Sequence, residues 1–292
     1  MKFSSQTLRA TLLACAVTTL PISWASAADP VRIVFRNGRS IPISAVTMQS
    51  DKIVVKTSAD GFSAGQSFPL VAADHVFGDK PSEIDPATAL LLTEKPAEAL
   101  KLLEPVVAEQ QVTAKIPGNY WIEAARAALV GYALTGDTAK CSEIGKAISD
   151  ATPAQGSDPF VALGKALLMP PTTKIGDRAI ALKDLTTDNL PADVCAYASY
   201  FRGQLLKGAK RSDDLDEARK ADAEALEAYL GAPCLFPSGG LILNAASELN
   251  AAEFLVNLGR REEAVKLLDS TIRQSTGTLL VVEANKRLES LK

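Results

Sequence analysis

The chemistry that this sequence could perform centres on its single histidine, His75. Asp74 precedes His75 directly, and a histidine beside a carboxylate is a combination that can move protons. The next two residues, Val76 and Phe77, instead indicate the closing turn of a small β-module. We therefore interpret His75 as a structural residue and expect this chain not to be an enzyme.

The cysteines do not form the pattern of a metal site or of a disulfide framework. With one histidine and no Cys-x-x-Cys pair, the sequence lacks the ligand spacing of a zinc site. Three cysteines follow residue 27, namely Cys141, Cys195 and Cys234, and an odd number cannot pair completely. We expect no metal and no cofactor, and we predict that Cys141 packs in the core.

Two other segments have the composition of a ligand loop. Residues 131–137 have the glycine spacing of a phosphate loop but lack its Lys-Ser/Thr, so we interpret them as a helix C-terminus. Residues 212–217 are rich in acids but lack the glycine that a calcium loop needs. Because carboxylates stabilise the positive end of a helix, we predict that this acidic segment begins a helix.

The first residues of the chain predict export. Lys2 and Arg9 form a basic start, residues 11–22 are mostly apolar, and Ala25-Ser26-Ala27 has the small residues of a cleavage site. The apolar run is shorter than the roughly 20 residues of a membrane-spanning helix. We predict a signal peptide over residues 1–27 and a mature chain that begins at Ala28 and is periplasmic or extracellular.

A lipid anchor is the alternative for this segment. Residues 12–15 loosely resemble a lipobox that would end at Cys15. The apolar run before Cys15 is short and continues past it, which favours an exported chain without a lipid.

Composition narrows the class of partner and the class of fold. The net charge is −3, and removal of residues 1–27 takes away two bases and no acids. An acidic chain without a long basic run is poorly suited to bind nucleic acid or an anionic membrane. Aromatic residues make up only 5% of the chain, so close helix packing is favoured over a large β-sandwich.

Residues 31–71 show the period-two pattern of short β-strands. Asn37-Gly38 favours a two-residue hairpin in which both central residues have positive φ, and Ser50-Asp51 predicts a second turn. Pro42 cannot donate to a ladder, so its strand should lie at an edge or carry a bulge. We predict a small antiparallel β-module over residues 28–80, with strands at about 31–36, 40–48, 52–57 and 67–71.

From residue 87 onward the apolar residues recur with a helical period. Turn-forming residues at 78–86 predict the linker to this part of the chain. Pro96 suits the first turn of a helix, whereas Pro105 should kink or end that helix. We predict five helical hairpins, at about 87–109, 119–150, 158–187, 191–230 and 239–273, and a last helix at 279–291.

Residues 250–272 carry the clearest repeat. Gly259 permits the turn, Ala264 lets the second helix lie close, and Leu268 fills the groove between neighbouring hairpins. With this spacing, residues 81–292 resemble a degenerate tetratricopeptide repeat array. The predicted fold class is α+β: a small antiparallel β-module, then an all-α solenoid of about five helical hairpins.

The β-module resembles the small SH3-like or SLA1-homology-like domains that precede helical repeats in some exported bacterial proteins. The resemblance rests on FRNGRSIPI at 35–43, KIVVKT at 52–57 and DHVFGDKP at 74–81. It implies a compact adaptor and does not imply a ligand.

We expect the chain to act as an exported adaptor that binds a peptide or protein segment on its helical-repeat surface. The alternative is a structural envelope component that self-associates through an open edge of the β-module. An enzyme of unknown type is the least favoured class, and no nucleic acid is expected as a partner.

The resemblance to tetratricopeptide repeats also implies a place for the binding groove, along the first helices of hairpins two, four and five. Aromatic side chains there would anchor a partner, and cations would meet a carboxylate. These residues could equally be solvated helix faces. The predicted groove residues are Glu123, Arg126, Tyr197, Tyr200, Gln204, Lys207 and Glu253.

If a disulfide forms, we expect it to join Cys195 to Cys234. The two helices that follow these positions are predicted to run side by side with their starts adjacent. A disulfide needs Cα atoms within about 7 Å, whereas packed helices lie about 10 Å apart, so the loop at Cys234 would have to bend inward.

Overall fold

The computed structural model describes residues 29–152, 158–209 and 212–291, and within them the chain has an α+β fold. Six short β-strands come first and eleven α-helices follow. The predicted signal peptide, its cleavage site and Cys15 lie outside the described residues, so their interpretation stays a prediction.

The β-module forms two three-stranded antiparallel sheets, with strand orders β2-β1-β6 and β3-β4-β5. Alternate residues of the strands are buried, as the period-two pattern predicts. Three phenylalanine rings, Phe35, Phe62 and Phe68, pack together with centroids 5.0 to 5.5 Å apart. The strands are β1 Arg32–Phe35, β2 Ser40–Pro42, β3 Val46–Gln49, β4 Lys52–Val55, β5 Ser67–Pro69 and β6 Ala73–Phe77.

The turns of the β-module agree with the sequence in position, and one differs in geometry. Gly38 has a φ of 80°, but Asn37 does not have a positive φ, so the predicted two-residue turn with two such residues is wrong. The amide of Phe35 donates to Arg39 O instead, which makes the loop longer. Ser50 turns the next hairpin, and Pro42 lies in the edge strand β2, both as predicted.

The helices lie close to the predicted segments. Asp137 accepts a hydrogen bond from Lys140 N at the start of α4, and Asp214 accepts from Asp216 N and Glu217 N at the start of α8. The capping interpretation of the acidic segment 212–217 is thus confirmed. The helices are α1 Ile84–Leu92, α2 Pro96–Gln110, α3 Trp121–Thr135, α4 Thr138–Ala151, α5 Pro159–Leu167, α6 Ile175–Lys183, α7 Ala192–Lys207, α8 Leu215–Leu235, α9 Leu241–Asn257, α10 Arg261–Gln274 and α11 Leu279–Ser290.

Two prolines and one glycine of the helical part had specific predictions. Pro96 is in the first turn of α2, and Gly136 ends α3 with a φ of 75°, both as predicted. Pro105 does not end α2, which continues to Gln110. Pro105 is exposed, so water can solvate the carbonyl of Lys101 that loses its helical partner.

The first helix is a central element of the helical core. Helix α1 packs against α2 and α3 and also contacts α9 and α11. Ile84, Leu91 and Leu92 on α1 are at most 1% exposed. Helix α1 therefore lies inside the helical core rather than at its edge.

The β-module and the helices share part of one core. Val112 and Ile116, which follow α2, pack into the hydrophobic cluster of the β-module. The amide of Val76 donates to Pro117 O at 2.9 Å, and the hydroxyl of Tyr120 donates to Gly78 O at 2.7 Å. The chain between β6 and α1 thus joins two parts that pack against each other.

Candidate functional site

The starts of five helices border a cleft of about 550 Å³, which we call the helix-start cleft. Its walls come from the first two turns of α1, α3, α5, α7 and α9, from Lys80 and the loop before α9, and from Gln274 and Thr276 at the end of α10. The side chains that matter most for its chemistry are Lys80, Asp85, Glu123, Arg126, Phe160, Asp193, Tyr197 and Leu241.

Lys80 ties the segment before α1 to α3. Its Nζ lies 2.7 Å from Asp85 Oδ1 and 2.5 Å from Glu123 Oε1. Burial lowers the pKa of Lys80, but the hydrogen bonds to these two carboxylates outweigh burial and raise the pKa above its ordinary value. Lys80 is therefore a charged link between two walls of the cleft.

Arg126 forms the second charged link, between α3, α5 and α7. Its Nη2 lies 2.7 Å from Asp158 Oδ2, and its Nη1 lies 3.0 Å from Asp193 Oδ2. The guanidinium carbon is 4.8 Å from the centre of the Phe160 ring, which is a cation–π distance. The Nε atom of Arg126 is buried and has no hydrogen-bond partner among the described residues.

The carboxylate of Asp158 bonds to two helices, to the start of α5 and to Arg126 on α3. Its side chain is fully buried, and Oδ1 accepts a hydrogen bond of 2.9 Å from Phe160 N at the start of α5. The other carboxylate oxygen binds Arg126. The cap of α5 and the orientation of Arg126 therefore depend on the same carboxylate.

Tyr197 forms the apolar floor of the cleft. Its ring meets Phe160 edge-on, with centroids 5.6 Å apart, and lies parallel to Phe201 at 6.2 Å. The side chain is 7% exposed, and burial raises the pKa of Tyr197, while a hydrogen bond with Thr88 opposes that rise. Tyr197 thus stays a neutral phenol that combines ring area with a polar atom.

Side-chain carboxylates outnumber cations at the cleft. Among the lining residues, Asp85, Glu123 and Asp193 are acids, and Lys80 and Arg126 are bases. The positive ends of the bordering helices offset part of this negative charge. Asp85 and Glu123 are half exposed, so the excess negative charge faces the solvent side of the cleft.

The structure brings together three of the seven predicted groove residues. Glu123, Arg126 and Tyr197 all line the helix-start cleft. Lys207 and Glu253 form an ion pair of 2.6 Å, and Arg287 lies 3.6 Å from the same carboxylate. Lys207 ends α7, whose start lines the cleft, so this pair lies about 20 Å away along the helix.

Tyr200 is the prediction that the structure corrects. Its side chain has 0% exposure, and its hydroxyl donates to the carbonyl of Leu92, the last residue of α1. Gln204 Nε2 and Asn250 Nδ2 donate to the same hydroxyl at 3.0 and 3.3 Å. Because the end of α1 covers it, Tyr200 belongs to the core and its predicted place on a binding surface is wrong.

Three lining residues of the cleft, and Asp158 behind Arg126, had not been singled out from the sequence. Lys80 and Asp85 lie in the stretch interpreted as a linker, Asp158 precedes Pro159, and Asp193 is in the first turn of α7. The pair Asp158-Pro159 was a usable signal, because a capping aspartate followed by proline marks a helix start.

The cysteines are free thiols in the structure. Cys141 and Cys195 are buried, and Cys234 is exposed. The Sγ atom of Cys195 lies 3.5 Å from Thr187 O and 3.8 Å from Leu190 O, in the loop before its own helix. The disulfide between Cys195 and Cys234 is not formed, because Cys234 is at the exposed end of α8 while Cys195 points into that loop.

His75 lies on β6, away from the cleft. It is exposed, and its Nδ1 is 2.9 Å from Asp74 Oδ2. The segment was predicted as a closing turn and is in fact the last strand of the β-module. No residue of the helix-start cleft is a partner of His75.

Three further findings bear on the class of site. Among residues 29–152, 158–209 and 212–291, no three His, Cys, Asp or Glu side chains are grouped so that they could hold a metal ion. In the same ranges no helix has the length and apolar character needed to cross a membrane. The chain matches no family model, no curated protein and no solved structure.

Proposed function

We propose that this protein is an exported adaptor that binds a segment of another polypeptide at the helix-start cleft. The observation that carries the proposal is that Glu123, Arg126 and Tyr197, predicted from repeat positions to bind a partner, line one open cleft. A cleft with an aromatic floor and a few charged groups has the composition of a binding site for a peptide side chain.

We further infer that the helices are organised as five tetratricopeptide-like hairpins with α11 as the last helix. The packing of α1 with α2, α3 with α4, α7 with α8, and α9 with α10 supports this grouping. The contact of α1 with α9 makes the inner face smaller than in an open array. We therefore place the binding site at the end where these helices start, and not on the inner face of the array.

The chemistry of the cleft favours a basic side chain of the partner. The excess of carboxylates over cations attracts an ammonium or a guanidinium group, and the ring of Tyr197 offers it an aromatic surface. Leu241, at the rim, is 66% exposed and supplies an apolar contact beside the charged groups.

Photo-crosslinking in the cell tests this proposal. A photoreactive amino acid at Leu241, on the rim of the cleft, is expected to crosslink to one defined envelope protein. The same amino acid at Leu215, which is 77% exposed and lies outside the cleft, is the matched control and should give no such product.

Reversing a charge at the helix-start cleft tests whether the crosslink depends on the negative charge there. Glu123→Lys should abolish the crosslink because it removes a carboxylate that faces the solvent. Glu262 on α10 is also exposed and lies outside the cleft, so Glu262→Lys should have no effect. A crosslink that survives Glu123→Lys, or that forms equally from position 215, would show that the cleft does not bind the partner.

A further inference from the structure

A second concavity lies between the β-module and helices α2, α3 and α4, away from the helix-start cleft. It consists of two cavities of about 780 and 250 Å³, which we call together the β3 groove. The two cavities share four lining residues: Ala108, Gln111, Trp121 and Ala147. Because these residues border both, the cavities form one continuous groove.

Trp121 forms the floor of the β3 groove and is 1% exposed. Its indole Nε1 is a donor with no hydrogen-bond partner among the described residues. A buried donor left unpaired costs about 1–3 kcal/mol, so an acceptor brought into the groove can relieve a real penalty. Ala108 and Ala147 on the two banks are small, which leaves room for a main chain above the indole.

One wall of the groove is an edge strand. Strand β3 pairs with β4 and has no second neighbour among the described strands. Ala45 O accepts from Lys56 N, so the residues that face β4 are Ala45 and, by alternation, Thr47 and Gln49. The main chain of Met48 therefore faces the other way, and Met48 lines the groove. Unpaired strand groups favour an extended occupant over a helical one.

The banks of the groove carry unpaired carboxylates. Glu109 on α2, and Glu143 and Asp150 on α4, are exposed and have no ion pair within the described residues. Glu104 is already occupied, since Lys140 lies 2.8 Å and the Tyr132 hydroxyl 2.9 Å from its Oε1. These two hydrogen bonds, from Lys140 first, lower the pKa of Glu104.

The cations at the strand end are fewer. Three lysines line the groove: Lys140 is paired with Glu104, Lys115 lies 3.3 Å from Asp51 Oδ1, and Lys56 has no ion pair within the described residues. The helical side of the groove, with Glu109, Glu143 and Asp150 unpaired, is thus negative. This charge selects a basic occupant and disfavours an acidic one.

We propose that the β3 groove is a second docking site, which takes an extended basic segment of a partner polypeptide. The segment lies along β3, passes over Trp121 between Ala108 and Ala147, and places basic side chains beside Glu109, Glu143 and Asp150. The distance along α3 from Trp121 to Tyr132 is about 16 Å, which is the length of about five extended residues.

The fluorescence emission of Trp121 measures binding in the β3 groove. The chain has two tryptophans, Trp24 in the predicted signal peptide and Trp121, so a Trp24→Phe variant has Trp121 as its sole tryptophan whether or not residues 1–27 are removed. Titration with a ten-residue peptide of alternating valine and lysine should shift its emission saturably. The valine–glutamate counterpart should bind at least tenfold more weakly, and the affinity for the lysine peptide should fall with added salt.

Variants with the same change of charge, inside and outside the β3 groove, test where the lysine peptide binds. Glu109→Gln with Asp150→Asn should weaken binding of the lysine peptide at least tenfold, whereas Asp177→Asn with Glu262→Gln, which remove the same charge elsewhere, should not. Ala108 is exposed, so Ala108→Leu narrows the groove without a core change and should also abolish binding. Circular dichroism of each variant shows that the fold is retained.

Several results would overturn the proposal. Equal binding of the two peptides, an unchanged emission, or full binding by Ala108→Leu would each exclude a basic segment over Trp121. A concentration-dependent dimer in sedimentation that Ala108→Leu dissociates would show that a second copy of the chain occupies the groove instead. The peptide titration is independent of the crosslinking test at Leu241, because the β3 groove and the helix-start cleft share no lining residue. A failed crosslink would therefore not change the expected peptide binding.

Discussion

Replacing Tyr200 with alanine is expected to lower the free energy of unfolding by about 3–5 kcal/mol. The ring is fully buried, 5.3 Å from the centroid of Phe201 and 5.6 Å from that of Tyr229, so its removal leaves a cavity. The change also removes the hydroxyl that joins α7 to the end of α1. Urea unfolding followed by circular dichroism measures this loss.

Tyr200→Phe is the matched control for the hydroxyl. It keeps the ring and removes only the hydrogen bonds with Leu92, Gln204 and Asn250, so it should cost about 1–2 kcal/mol. If Tyr200→Ala instead unfolds like the parent chain, Tyr200 is not in the core. The packing of α1 against α7 would then have to be revised.

Local patterns predicted most of the elements, because local residues decide them. Alternating apolar residues define β1 and β4, and Gly136 with its positive φ ends α3. Pro42 could be placed in an edge strand because a missing N–H has the same consequence in any sheet. Of the two predicted outcomes at Pro105, a kink or the end of the helix, the second is wrong, because the cost of a proline in a helix depends on whether water reaches the freed carbonyl.

The position of α1 could not be read from the sequence. Ile84 and Leu92 have the pattern of any buried helix, and nothing in their spacing specifies α9 as a neighbour. Tyr200 was predicted to lie on a surface, and it is buried because α1 packs into the helical core. Periodicity tells which face of a helix is buried, but it does not tell which element covers that face.

The candidate site was predictable only in part. Glu123, Arg126 and Tyr197 follow from positions near the starts of two helices, and they lie together because those starts are neighbours. Lys80 is 43 residues from its partner Glu123, and Asp193 is 67 residues from Arg126. Such pairs have no local signal, since only the tertiary fold brings them within ion-pair distance.

Asp158→Ala is expected to be the second most destabilising change, with a loss of about 3 kcal/mol in the free energy of unfolding. The carboxylate is fully buried, and its removal leaves the guanidinium of Arg126 with Asp193 as its remaining ion-pair partner. The amide of Phe160 also loses its acceptor at the start of α5. Urea unfolding of the variant and the parent at one pH and salt concentration gives the difference.

Asp193→Ala provides the control, because it removes the other carboxylate from the same arginine. Asp193 is 32% exposed, and its other oxygen accepts a hydrogen bond of 2.9 Å from Val194 N of its own helix; water can replace both interactions, so the expected loss is below about 1 kcal/mol. The double variant Arg126→Met, Asp158→Ala should be more stable than the sum of the single losses by about 1–3 kcal/mol, since no unpaired buried charge remains. Equal losses for Asp158→Ala and Asp193→Ala, or strict additivity in the double variant, would mean that Arg126 is held by solvent-exposed pairing rather than by the buried carboxylate.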